Sequence, residues 1–418
     1  SDAKPVPTQK GNIKNMKKNM PTTDLTPMRK GIVGVQFLFV AFGATVLVPL
    51  LVGMDPATAL LAAGVGTLIF HLVTKGKVPI FLGSSFAFIA PILAASKQWG
   101  MAGTLAGLTG VSLVYFVMSA LVKWQGRKFL DKVFPPVVIG PVIILIGLTL
   151  SGSAVDMAKG NWPLAFVSLI TAILVLILGH GLLKLVPVVC GIAVGYVVAC
   201  FMGIVDFKPV QDAAWFALPS AIANYHLPQM ELAPFLYMIP VAIAPVIEHI
   251  GDVYVVSAVA KKDFVKTPGL HRTMLGDGLA CLASAFLGGP PVTTYSEVTG
   301  AMSITKVTNP QVIRIAAVTA IVFSVVGKLS ALLQSKLLLF GTIASVGIQN
   351  LVQNHVNLNV TRNVIIVSVT LTMGIGGAVL SCGEFSISGI GLSAIVGVVL
   401  NLLLPHDKKD EQEQDENA

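Results

Sequence analysis

Charge is what this sequence has least of. Only 11% of its 418 residues are Asp, Glu, Lys or Arg, where a soluble domain carries about a quarter, so water cannot be the main surroundings of the chain. Cysteine is sparse too. Cys190, Cys200, Cys281 and Cys382 lie within or at the edge of apolar segments without metal-ligand spacing, which excludes a disulfide framework and a zinc site and leaves them as small apolar fillers. His71, His180, His249 and His271 have no paired ligand spacing with a third donor, and on a helix His249 points about 100° away from Glu248. No metal and no cofactor is expected. Walker and Gly-x-Ser-x-Gly patterns are missing, so uphill work has to draw on an ion gradient, and no nucleophile and base pair marks a membrane-embedded enzyme.

What is present is apolar. Hydrophobic residues make up 54% of the chain and the mean hydropathy is +0.82. Runs approaching or reaching the roughly 20 residues that cross a ~30 Å hydrocarbon core recur from Gly31 to Leu404, among them Ile32–Val52, Leu164–Gly179 and Val364–Leu380. About fourteen spans can be counted at that length. The basic stretch Lys4–Lys30 leads into a full-length span without a small-residue cleavage pattern, so the first span is expected to stay in the membrane.

The formal charge of +8 follows topology rather than a nucleic-acid surface. Basic residues gather in alternate loops: Lys75 and Lys77, then Lys123, Arg127, Lys128 and Lys132, then Lys261, Lys262, Lys266 and Arg272, then Lys306 and Arg314. The positive-inside rule then puts these loops and both termini in the cytoplasm, which requires an even number of spans. The basic start and the acidic end, Asp407–Glu416, read as disordered polar tails.

Two stretches interrupt the helical pattern, Lys77–Pro91 and Gly288–Thr305, each rich in Gly, Pro, Ser, Thr and aromatics. Each reads as an extended piece leading into a half-helix. Irregular backbone at membrane depth survives only where protein or a polar cavity receives its N–H and C=O groups. The two fall third and tenth in the span count, and paired interruptions of this kind mark a carrier site between inverted repeats.

Four of the twenty acids lie in apolar surroundings: Glu248, Asp252, Asp277 and Glu297. A carboxylate at the bilayer centre costs on the order of 3 kcal/mol, so such residues face a cavity, find a partner or carry protons. Glu248 and Asp252 are four apart and share a helix face, and Glu297 belongs to the second interrupted segment. Asp277 sits in the small-residue stretch Leu275–Ala280, where a structural hydrogen bond within the bundle explains it as well.

Blocks of residues resemble the nucleobase–ascorbate transporter family, most closely its bacterial uracil-carrying branch: Phe42–Pro49 (FGATVLVP), Asp55–Thr58 (DPAT), Val78–Phe88 (VPIFLGSSFAF), Phe134–Pro136 (FPP), Glu248–Asp252 (EHIGD), Pro268–Arg272 (PGLHR) and Thr293–Thr305. The resemblance implies an all-α polytopic membrane protein with fourteen transmembrane segments in two inverted repeats of seven, and short strands in segments 3 and 10. It divides the chain into a basic cytoplasmic tail (1–30), a core domain (31–133 and 233–328), a gate domain (134–232 and 329–404) and an acidic cytoplasmic tail (405–418). Carried over residue by residue, it makes Glu248 the acceptor of ring N–H bonds from a base, with Glu297 doing similar work. Phe86, Tyr295 and Ser296 line the pocket, and Tyr295 and Ser296 offer backbone N–H groups to ring carbonyls. Proton coupling falls to Asp252, with Glu297 and Glu248.

The chain departs from the family pattern in three places. Gln36-Phe37 stands for a Gln-His pair, which removes a histidine hydrogen bond, and Val298 replaces an Asn in Glu297-Val298-Thr299-Gly300. Between Ser335 and Lys336 the family has a further Pro- and Gly-containing stretch. Here the apolar run Leu337–Gly347 is too short to span, so segment 12 is expected to be incomplete. The function implied is a proton-coupled importer of uracil or a related pyrimidine in the bacterial inner membrane. The alternatives are a purine symporter and an anion carrier or channel of the same fold. The partners are the base, a proton and membrane lipid, a homodimer is one compatible assembly, and no nucleic acid is expected.

Overall fold

A computed structural model describes residues 25–126, 132–135, 137–139, 141, 145, 161–180, 183, 186–205, 207–223, 228, 231–333, 361–375, 379–382 and 385–404, with residues 181 and 182 and others between these ranges left aside. The acidic tail, residues 1–24 of the basic tail and the run Leu337–Gly347 expected to be an incomplete segment 12 therefore lie outside the described residues, while Pro27–Lys30, counted with the basic tail, begin the first helix. The helices are α1 (Pro27–Val52), α2 (Pro56–Val73), α3 (Ile89–Gln125), α4 (Trp162–Leu178), α5 (Pro187–Phe201), the short α6 (Lys208–Asp212) and α7 (Ser220–Ala223), then α8 (Leu232–Val241), α9 (Ile243–Ala260), α10 (Leu270–Phe286), α11 (Ser296–Thr305), α12 (Pro310–Ser324), α13 (Gly327–Leu333), α14 (Thr361–Ile375) and α15 (Gly389–Leu403). The strands are β1 (Leu82–Ser84), β2 (Val292–Thr294), β3 (Val379–Cys382) and β4 (Phe385–Ser388).

Local sequence explains where the long helices begin. Thr26-Pro27, Asp55-Pro56 and Asn309-Pro310 each place a capping side chain before a proline whose missing N–H costs nothing in the first turn. In each case the cap oxygen accepts from a backbone N–H two or three residues on. Asp55 also ties α2 to a distant loop, accepting from Ser220 N–H at 2.7 Å and from its hydroxyl at 2.8 Å.

Four helical runs, Pro27–Val52, Pro56–Val73, Phe86–Gln125 and Leu232–Ala260, are long and apolar enough to cross a bilayer. Large apolar side chains on their outer surfaces and on α4, such as Val117, Phe166, Ile170 and Ile177, are exposed, which suits a hydrocarbon solvent. Inside, α10 packs against α2 and α3, and α12 against α1 and α2. Small residues make this close: a Cβ on Gly64 of α2 would lie 2.5 Å from the carbonyl oxygen of Ala317 on α12. Bilayer helices associate through such contacts because lipid tails remove the hydrophobic incentive to pack large side chains together.

One element departs from the sequence expectation. The apolar run Val364–Leu380 does not continue as a single helix. α14 ends at Ile375, and β3 then pairs antiparallel with β4, Val379 opposite Ser388 and Cys382 opposite Phe385. Apolar and serine residues alternate along Phe385–Ser388 with period two. Hydropathy alone does not distinguish such a strand from an apolar helix.

Candidate functional site

The two interrupted segments meet. β1 and β2 pair antiparallel with Leu82 opposite Thr294, Gly83 opposite Thr293 and Ser84 opposite Val292. The pairing extends by one bond at each end, from Ser85 N–H to Pro291 O at 2.9 Å and from Tyr295 N–H to Phe81 O at 3.1 Å. A ribbon this short leaves its outer groups without a strand partner, and side chains from neighbouring helices take them. Leu82 N–H donates to Thr67 Oγ1 at 2.9 Å, the Cys281 thiol donates to Val292 O at 3.1 Å, and the Tyr295 hydroxyl donates to Ser84 O at 2.8 Å. The Ser84 hydroxyl in turn donates to Thr45 O at 2.9 Å. Gly83 is required at the crossing, because a Cβ there would stand 2.4 Å from the Tyr295 ring and 2.8 Å from Thr45 Oγ1.

Each strand runs directly into a helix. A 3-10 turn, Phe86–Phe88, leads into α3, and Tyr295 caps α11. α3 breaks at Gly100, whose φ of 68° is non-helical, so the first piece is a half-helix ending near residue 99. Neither helix start is capped by a side chain. The first-turn N–H groups therefore have no intrahelical partner and carry positive partial charge. The antiparallel register sets these two starts at opposite ends of the ribbon, a geometry suited to holding an acceptor-bearing ligand between them.

The acids come to this ribbon from the side of α9 and from α11. Asp252 is 5% exposed and accepts a hydrogen bond from the Thr294 hydroxyl at 2.5 Å, so α9 is fastened to β2. Glu248, one turn earlier, and Glu297, in the first turn of α11, are each half-buried. Glu248, Asp252 and Glu297 lie within electrostatic reach of one another. Phe86 and Ser296, also half-buried, stand at the two helix starts.

Tyr295 differs from its expected part. Its ring is 4% exposed, its hydroxyl is a strut on Ser84 O, and its N–H is taken by Phe81 O. The open backbone donors are therefore at Ser296 and onward rather than at Tyr295. Val298 is fully buried in α11 and Phe37 is 1% exposed, so both departures from the family pattern are packing residues. Gln36, beside Phe37, has both amide atoms buried with no partner among the described residues.

A second polar cluster lies behind the first. His249 and Asp277 are fully buried, with Nδ1 2.8 Å from Asp277 Oδ2 and Nε2 2.9 Å from Thr273 Oγ1. The Thr273 hydroxyl donates to Leu270 O at 2.9 Å, which leaves Nε2 as the donor to Thr273, and the Nδ1 to Oδ2 contact then holds a single proton. The pair is net neutral whichever atom carries it. The Tyr115 ring meets the imidazole edge-on at 6.2 Å. Asp277 thus has the structural bond anticipated for it. His249 as its partner was not legible, because the two are 28 residues apart and on different helices. Thr294, Thr45 and Thr67 were missed for the same reason.

Paired half-helices meeting at a short ribbon, with acids at membrane depth, define a multi-pass membrane carrier. The comparisons with known proteins agree. The Permease family profile matches residues 29–382, and the chain belongs to that family. It is 48% identical over 398 residues to a protein of Pasteurella multocida named "Probable uracil permease", covering 91% of this chain and 94% of that one. It is 43% identical over 417 residues to "Uracil permease" of Bacillus subtilis, covering 94% and 96%. Among solved structures, the transmembrane domain of the cyanobacterial bicarbonate transporter BicA superposes with a TM-score of 0.64 at 12% identity, covering 91% of this chain and 98% of that one. This likeness gives the fold alone, which is mostly helical; family membership and the apolar helices make the chain a multi-pass transporter of the bacterial plasma membrane.

Proposed function

We propose that this chain is a proton-coupled uracil importer that works by alternating access. The observation that carries the reading is the convergence of Glu248, Asp252 and Glu297 on the β1–β2 ribbon between two uncapped helix starts. Uracil has ring N–H donors alternating with carbonyl acceptors. An ionised carboxylate only accepts, and an open helix start only donates, so the pairing is complementary on both sides. Glu248 takes ring N–H groups. The N–H groups at Ser296 and its neighbours take a ring carbonyl, and Phe86 covers the ring. Asp252 and Glu297 carry the proton, Asp252 through a carboxyl whose bond to Thr294 links its protonation to the ribbon. The names of the relatives, at 43% and 48% identity over most of both chains, support the base.

In this reading the elements form fourteen segments in two inverted repeats, with α1–α3 and α8–α12 in a core domain that moves against a gate domain, and both termini in the cytoplasm. The two ribbon strands, one from each half, support that arrangement. An anion carrier is the second reading, since BicA shares the fold. Acids rather than cations beside the ribbon argue against it.

The test is paired. Glu248→Gln adds an NH₂ donor where only acceptance is useful, and uracil binding should fall at least tenfold, the effect of about 1.5–3 kcal/mol from a charge-assisted bond. Glu297→Gln keeps an acceptor but cannot take a proton, so accumulation in proteoliposomes should fail more severely than binding by calorimetry. Parent-like binding by Glu248→Gln, or uphill accumulation by Glu297→Gln, would remove these assignments.

A further inference from the structure

The lysines of the chain are not spread evenly over one membrane face. Three connections, residues 74–78 between α2 and β1, 261–269 between α9 and α10, and 305–314 from the end of α11 into α12, hold seven cationic side chains against one acid, Asp263. They surround a single cavity of about 600 Å³, lined by Lys77, Lys262, Lys266, Asp263, Thr267 and Pro310 among others. The volume lies within the range of small-ligand pockets. The one acid in the wall is already engaged, its Oδ1 accepting from Lys266 N–H at 3.0 Å. Lys77, Lys262 and Lys266 make no ion pair among the described residues. Arg314 stands behind the wall, close enough that a Cβ on Gly76 would meet its Nη1 at 2.6 Å.

The positive-inside rule explains why lysines lie on this side. It does not explain why two connections distant in sequence turn Lys77, Lys262 and Lys266 around one hollow, where like charges repel unless an anion screens them. The backbone adds a separate sign. Lys75, Lys261 and Lys306 are the non-glycine residues with positive φ among the described residues, at 56°, 52° and 59°, a conformation that glycine adopts without cost. Lys75 and Lys261 sit next to wall residues Gly76 and Lys262, each retaining a long cation where the bare backbone would be less strained. The first turn of α12 enters the wall at Pro310, so its positive end points the same way.

We propose that this cavity is a second ligand site, which binds a phosphate-bearing anion on the cytoplasmic face. Phosphate suits it because several flexible ammonium groups satisfy a tetrahedral multi-oxygen anion as point charges without fixed geometry. The phosphate comes either from a soluble phosphomonoester or from the headgroup of an anionic phospholipid. The first connection leads to β1 and the other two leave the ends of α9 and α11, so occupancy bridges one ribbon strand and the two helices that carry the acids of the first site.

The experiment uses the full chain in phosphatidylcholine nanodiscs at constant ionic strength. One arm titrates inorganic phosphate and glycerol 3-phosphate against chloride, following the unfolding midpoint. The other replaces part of the phosphatidylcholine with phosphatidylglycerol. The expected result is saturable stabilisation in one arm, which names the source of the phosphate. It should be at least tenfold weaker in Lys77→Gln/Lys262→Gln/Lys266→Gln and unchanged in Lys97→Gln/Lys208→Gln, which alters lysines of other loops. The unliganded midpoint of the triple variant checks its fold. Parent protein that responds to phosphate and phosphatidylglycerol no more than to chloride overturns the site, and so does a folded triple variant that responds like the parent.

Discussion

Removing the imidazole of His249 tests how α9 is held in place. Asp277 Oδ2 has that imidazole as its hydrogen-bond partner, the Tyr115 hydroxyl is a further polar neighbour of the carboxyl, and the side chains of His249 and Asp277 have no solvent exposure. His249→Ala therefore strands a carboxyl group in the bundle, at a cost of about 3–5 kcal/mol for breaking a buried pair from one side. Thr273 loses less, because its hydroxyl keeps Leu270 O. The assay is a double-mutant cycle on denaturation of the purified protein in detergent, with His249→Ala, Asp277→Ala and the double variant. The double variant should be more stable than the two single losses add up to, by more than about 1 kcal/mol, since contacting residues couple by 0.5–3 kcal/mol. His249→Asn, which keeps a donor near the Nδ1 position, should recover part of the loss. A His249→Ala protein within 1 kcal/mol of the parent, or a strictly additive cycle, refutes the reasoning from this pair.

Gly83→Ala should destabilise by about 1–3 kcal/mol through overpacking and should also weaken uracil binding, because the Tyr295 ring has to leave its strut on Ser84 O; unchanged stability and binding would show that the crossing is looser than its contacts imply. Single cysteines at Lys10, Lys262 and Asp407 should react with an impermeant thiol reagent only after the cells are opened, and reaction from outside intact cells at any of the three would reverse the topology.

Much of this was readable from residue patterns because the membrane simplifies them. Apolar runs gave the spans, and the paired Gly- and Pro-rich interruptions pointed to the ribbon. Acids in apolar runs stand out for the same reason: a few kcal/mol per charge leaves few of them there by default. What stayed hidden was pairing across the bundle. Nothing periodic links His249 to Asp277, Thr294 to Asp252 or Thr67 to Leu82, since those distances follow from helix packing. The bonds of Tyr295 were equally hidden, since its hydroxyl reaches Ser84 O and its N–H closes the ribbon on Phe81 O, both far away in sequence. The β3–β4 hairpin was obscured by the hydropathy of its run, which measures burial and not backbone conformation.

The central claim is that the acids at the ribbon couple uracil entry to protons, and uptake of labelled uracil into proteoliposomes under an imposed inward proton gradient measures it directly. The account predicts accumulation above the equilibrium level, abolished by a protonophore, accompanied by alkalinisation of the outside medium when uracil is added, and insensitive to the replacement of sodium by potassium. Uptake that requires sodium and persists with the protonophore present would contradict it.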